Sequence, residues 1–151
     1  MKTVTKFLPV VLLLCAFALA QDLQTQPAAD THFNISANDL HDAPFTVGDD
    51  VMDVRLTGSF TATGGRASKI IVLVMTDAQF AKWQSSHSPT PSTPANGGAL
   101  YNSGEVSQAK IDLHLPDAPA NYHLVFSNIR FPYPKAIQTD LAWQWKGVPE
   151  K

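Results

Sequence analysis

Apolar and polar residues alternate along most of the chain. From Val51 to Ala62 the alternation is strict. Met52, Val54, Leu56, Gly58 and Phe60 fall on one side, and Asp53, Arg55, Thr57, Ser59 and Thr61 on the other. A period of two is the mark of a strand with one face buried and one wet. Ile111, Leu113 and Leu115 repeat the pattern, and Tyr122, Leu124 and Phe126 continue it. Ile137, Leu141, Trp143 and Trp145 form the apolar side of a last strand, with Gln138, Asp140 and Gln144 opposite. Phe33 and Ile35 mark a shorter strand within 32–37, and Leu100 to Val106 predicts another. Lys69 to Thr76 (KIIVLVMT) is different: an unbroken apolar run, suited to a central strand covered on both faces.

Asp77 to Gln84 is the one helical segment expected. Thr76 or Asp77 can cap it, and Phe80 and Trp83 lie on one side. Gly64-Gly65 and Pro116 to Asn121 read as turns, and Ser85 to Gly98 as an exposed proline-rich loop. About seven or eight short strands, turns between them and one short helix predict an all-β fold, an antiparallel sandwich or barrel.

The first residues read as an address. Lys2 and Lys6 precede an apolar run from Phe7 to Leu19, and Ala18-Leu19-Ala20 places small residues before Gln21. That layout predicts a cleaved signal peptide over 1–20, a flexible lead over 21–31 and a single sandwich domain over 32–151. The apolar run is shorter than the roughly 20 residues that cross a bilayer, so no integral membrane segment is expected after cleavage. Cys15 is the only cysteine. Leu14 before it is larger than a lipoprotein signal prefers, and the better cleavage site lies downstream. The expected location is extracytoplasmic, secreted or periplasmic, with stability drawn from a core and not from disulfides.

The chain of 151 residues is 44% hydrophobic and 16% charged, with a formal net charge of −2. Loss of 1–20 would remove Lys2 and Lys6 and no acid, leaving 9 basic residues against 13 acidic ones. A mildly acidic domain is no partner for nucleic acid or anionic lipid by charge alone.

Phe80-x-x-Trp83, then Leu113-x-Leu115-Pro116, then Tyr122-His123-Leu124-Val125-Phe126-Ser127-Asn128, with Lys135 and an alternating last strand, resembles the GOLD β-sandwich, the lumenal domain of the p24 (emp24) family. The resemblance covers about half the chain. The usual proline-glycine turn before the tyrosine is replaced by Asp117-Ala118-Pro119-Ala120-Asn121, and that family's cysteine pair, coiled coil and membrane helix are missing. The resemblance implies a small antiparallel jelly-roll-like β-sandwich whose relatives bind proteins or lipids and do no chemistry.

Candidate chemistry is sparse. If 113–115 and 122–124 form a hairpin about the Pro116–Asn121 turn, His114 stands opposite His123, close enough for two imidazoles to share a transition metal. A third ligand is not supplied by the spacing, so the pair is expected to be solvated and no cofactor is expected. Asp39, His41, Asp42, Asp49, Asp50 and Asp53 gather acids without a calcium-loop spacing. Phe131 and Tyr133, in a loop flanked by prolines, are the expected ligand-binding aromatics, whereas Trp143 and Trp145 share the parity of core positions. Asn34-Ile35-Ser36 is a glycosylation sequon. With no nucleophile-elbow, zinc or phosphate-loop motif, the expectation is a non-enzymatic exported module that binds a protein, lipid or glycan. The alternatives are a carbohydrate-binding jelly roll and a metal-dependent extracytoplasmic enzyme.

Overall fold

The computed structural model describes residues 22–86 and 98–147. The expected signal peptide, Cys15 and most of the proline-rich loop lie outside these residues. In chain order the elements are β1 (Leu23–Pro27), β2 (His32–Ile35), β3 (Leu40–Val47), β4 (Val51–Thr63), β5 (Ile71–Thr76), α1 (Asp77–Ser85), β6 (Tyr101–Asn102), β7 (Gln108–His114), β8 (Ala120–Ser127), β9 (Lys135–Thr139) and β10 (Ala142–Gly147).

They form two antiparallel sheets. In the first, β4 is the spine: β10 and then β9 run along one of its edges and β7 along the other. β9 and β10 keep a single register against β4 across Asp140–Leu141, so they are one strand with a break in it. β1 and β2 form a second interrupted strand beside them, joined across the gap by Ala28 N–H to Leu141 O and Thr139 N–H to Thr31 O. The second sheet has the order β3-β8-β5-β6. With each interrupted strand counted once, the pairs nest: β1/β2 with β9/β10, β3 with β8, β4 with β7, β5 with β6. Nested antiparallel pairs divided between two sheets are a jelly roll; the alternation predicts the all-β sandwich.

The core lies between the sheets. Val54, Leu56 and Phe60 of β4, Ile111 of β7, Ile137 of β9 and Trp143 of β10 face Val72 and Val74 of β5 and Tyr122, Leu124 and Phe126 of β8. Phe126 meets Phe33 and Phe60 edge to face, and Phe45 stacks on Trp143 with 4.5 Å between ring centres. Such aromatic pairs add to the value of the area they bury.

The β5 run is covered on both sides. Ile71, Leu73 and Met75 point away from the sandwich into a second cluster with Val125, Ala99 and Trp83. Helix α1 supplies this cover. Thr76 and Gln79 form a capping box: Thr76 Oγ1 accepts from Gln79 N–H, and Gln79 Oε1 accepts from Thr76 N–H. The box starts a helix directly at the end of a strand, so Phe80 and Trp83 land on the sheet just left.

Two expectations are corrected. Residues 23–27, expected in a flexible lead, form β1. The open edge of β10 presents backbone N–H and C=O groups that need partners, and every β1 side chain stays exposed while its backbone supplies them. Met52, expected inward with Val54, stands opposite Lys146 on the outer face, and Val51 packs against the core in its place. A β-bulge at Asp53–Val54 opposite Trp145 reverses the parity.

Phe126→Ala, at a fully buried site with three aromatic neighbours, Phe33, Phe60 and His41, is expected to cost about 3–5 kcal/mol of folding stability. Tyr133→Ala is expected to cost under about 0.5 kcal/mol. Urea unfolding of the two variants measures the difference.

Candidate functional site

The two outer faces are unlike. The second sheet is covered by α1, which packs on β5 and β8. Among the described residues nothing covers the first sheet. Its outer face carries Arg55, Thr57, Ser59 and Thr61 of β4, Gln108, Lys110, Asp112 and His114 of β7, and Gln138 of β9.

The middle of this face is shaped by the break between β9 and β10. Gly58 has φ +124°, and a Cβ there would lie 2.6 Å from Asp140 O. Only glycine lets the strands approach this closely. The Asp140 carboxylate accepts the Ser59 N–H, and Asp140 N–H returns a bond to Ser59 O at 3.0 Å. The Ser59 N–H holds the Asp140 carboxyl below the usual carboxylate range, with Lys110 adding a weaker pull. Where the ladder opens there is a hollow of about 380 Å³ lined by Gly58, Ser59, Lys110, Ile111, Asp112 and Asp140. A second hollow of about 250 Å³ continues it past Thr61 and Gln108, sharing Ser59 and Lys110. The result is a shallow groove along β4 and β7 that offers a cation, two carboxylates, hydroxyls and an amide.

The far end of the face is tied by Asp53. At φ +53° it occupies the left-handed position of the bulge, which aspartate tolerates better than most residues. Its N–H donates to Asp117 Oδ1 at 2.7 Å, and its carboxylate receives Lys146 Nζ at 2.8 Å and Arg55 Nε at 3.3 Å. Lys146 first, then Arg55, hold this carboxyl below its ordinary range. His114 Nδ1 lies 3.6 Å from the same carboxylate.

The expected facing of His114 and His123 does not occur. His114 belongs to β7 in the first sheet, paired with Arg55; His123 belongs to β8 in the second, between Pro44 and Met75. The Pro116–Asn121 turn carries the chain from one sheet to the other, so the two strands look at one core from opposite sides. Alternation is the same for a hairpin and for strands facing across a core, and periodicity cannot tell them apart. His123 is instead held by two carboxylates, Asp42 Oδ2 on Nδ1 and Asp77 Oδ1 on Nε2, each at 2.8 Å. Among the described residues no group of three or more His, Cys, Asp or Glu is placed to hold a metal ion.

The acids of 39–53 disperse: Asp39 accepts the Leu40 N–H, Asp42 binds His123, Asp53 serves the bulge, and Asp49 and Asp50 stay exposed in a turn. His41 stacks on Phe33 at 4.1 Å between ring centres. Tyr133 is exposed, at 49% of its surface. Phe131 is half-buried against the second cluster and does not stand displayed beside it. Asn128 causes this by folding the loop back, its side-chain N–H groups donating to Ser36 O and Tyr133 O. Lys135 is buried to 3% exposure, donates from Nζ to Gly64 O at 2.8 Å, and lies 5.5 Å from the centre of the Phe131 ring. Burial lowers its ammonium pKa. Trp143 is core; Trp145 is half-buried, tilted against Phe45. Asn34 is exposed on β2.

Among the described residues, fold and site together define a jelly-roll β-sandwich with one face clad by α1 and one polar face uncovered. No protein-family model and no curated protein matches the chain. Among the described residues no helix is long and apolar enough to cross a membrane.

Asp53 and Asp140 are both held below the ordinary carboxylate range in the folded protein. Their contribution to stability is therefore complete above about pH 4, the unfolded value, and is lost as pH falls through the lower folded values. Urea midpoints measured from pH 2.5 to 6 should fall on the acid side, and Asp140→Asn should flatten that fall. Gly58→Ala is expected to destabilise the protein in the same assay by forcing β9–β10 away from β4.

Proposed function

We propose that the protein is exported and acts as a non-catalytic binding module, with its ligand in the groove along β4 and β7. One observation carries the reading. The second sheet spends its outer face on α1, whereas the first sheet keeps an uncovered polar face with a hollow at the Gly58–Asp140 break. Hydroxyls, an amide and both signs of charge suit a ligand rich in hydrogen-bonding groups. A glycan chain fits that description better than a lipid, because Lys110, Asp112 and Asp140 border the hollow.

Burial of Trp143 and half-burial of Trp145 count against the version of this reading in which tryptophans form a stacking platform. The placement of His114 and His123 on different sheets lends no support to a shared metal centre. Export is supported by the signal-like segment 1–20 and by its position. β1 begins at Leu23, so cleavage after Ala20 spares every described strand.

A glycan array probed with the wild type, Lys110→Ala/Asp112→Ala and Tyr133→Ala tests the site. Expected is a bound glycan whose affinity falls about tenfold or more in the double variant, as for loss of charge-assisted hydrogen bonds, and is unchanged in Tyr133→Ala. Loss in Tyr133→Ala alone moves the site to the 131–134 loop and refutes the groove. N-terminal sequencing of protein recovered outside the cytoplasm should start at Gln21.

A further inference from the structure

His123 sits where β8, β3 and the start of α1 meet. Its side chain is 15% exposed, and the Phe80 ring stacks on it with 4.1 Å between centres. Both ring nitrogens lie 2.8 Å from a carboxylate oxygen. A neutral imidazole carries one N–H and can donate to only one of them; the imidazolium donates to both. The arrangement is therefore complete only when the ring is doubly protonated.

We propose that His123 is an acid-closed latch for helix α1: as the imidazolium it clamps the helix to the sheet, and loss of its proton frees the helix end while the sheet side stays bonded. The two carboxylates are not equivalent. Asp42 belongs to β3 and is 25% exposed; Asp77 is the first residue of α1 and is 58% exposed. Among the described residues Asp42 Oδ1 is buried and has no hydrogen-bond partner, and the Nδ1–H bond is the one charge-assisted contact that carboxylate has there. The proton departs from Nε2 to water beside the exposed Asp77, leaving the neutral ring with Nδ1–H on Asp42. The Nε2 lone pair then faces the Asp77 carboxylate, and an attractive contact becomes a repulsive one.

The other groups around the ring do not compensate. β5 presents Met75 and β3 presents Pro44 opposite His123. On β8 the same face carries Asn121, which donates to Asp77 Oδ2 at 2.9 Å, and Val125. His41 of β3 points to the other side, onto Phe33, and Lys82 lies in the last turn of α1. Asp77 stays ionised well into acid, because Asn121 and His123 hold its carboxyl below the ordinary range. The latch thus needs the imidazolium and the ionised Asp77 carboxylate together. Without the ring proton, α1 keeps the capping box, the Asn121 bond and its apolar contacts, but loses the one ionic tie to the sheet found among the described residues. Loosening it uncovers Leu73, Met75 and Val125 beneath Phe80 and Trp83.

Hydrogen exchange of the purified protein at pH 5 and pH 8, corrected for intrinsic rates, tests the latch alongside ring-nitrogen NMR of His123. The expected result is protonation of both nitrogens at pH 5 and of Nδ1 alone at pH 8. Protection of the α1 amides should fall about tenfold or more between the two, with β4 unchanged. His123→Gln and Asp77→Asn should each abolish the step, and His114→Gln should keep it. The proposal is overturned by a ring that keeps both protons at pH 8, by α1 protection that does not change when the proton leaves, or by a step that survives in Asp77→Asn. The wild-type NMR and the Asp77→Asn measurement decide the matter even if His123→Gln fails to fold.

Discussion

The constraint on which the rest turns is the double burial of β5. Ile71, Val72, Leu73, Val74 and Met75 are all essentially inaccessible to water. A strand apolar on both sides cannot sit in a two-layer sandwich unless something clads the outside of its sheet. Helix α1 does so, and that need explains its details. It must begin at once, hence the capping box at Thr76–Gln79. It must lie flat on β5 and β8, hence Phe80 and Trp83 on one side. Its start must be pinned to the sheet, hence Asp77 against His123 and Asn121.

The same constraint makes the molecule two-faced. With one outer surface committed to a second hydrophobic cluster, the other is left uncovered among the described residues, and apart from Met52 its side chains are threonine, serine, glutamine, His114 and charged groups. The irregularities gather on that open side. At Gly58 the ladder of β4 breaks against Asp140, and at Asp53 the strand bulges. Both are held by carboxylates that accept hydrogen bonds in the folded state. Breaks in a ladder leave backbone groups to be satisfied and also make hollows; Ser59 N–H finds Asp140, Asp53 N–H finds Asp117, and the groove follows.

Charge is used locally. The acids of 39–53 resemble a cluster in sequence, but Asp39, Asp42 and Asp53 lie on different strand faces or ends and meet different partners, while Asp49 and Asp50 stay exposed in one turn. Asp42 looks outward from the second sheet to His123, while Asp53 looks outward from the first to Lys146. Proximity in the chain carried no information about proximity in space, because a strand sends neighbours to opposite faces and a turn changes the sheet.

Alternation alone determined that the protein is an all-β sandwich or barrel, and it named the inward residues of β4, β7, β8 and β9–β10 with Met52 as the exception. It also marked β5 as doubly covered and placed the helix after it, because period and capping are local properties of the chain. Which strands pair was decided only by the tertiary structure. Leu113, Leu115, Tyr122 and Leu124 have the same parity whether β7 and β8 form a hairpin or face each other across a core, so the positions of His114 and His123 were not legible. The loop at Phe131 and the strand at Leu23–Pro27 were hidden for a related reason. Their order comes from partners distant in sequence — Asn128 and the second cluster for one, the open edge of β10 for the other — and backbone hydrogen bonding at an edge leaves no trace in the side chains that form it.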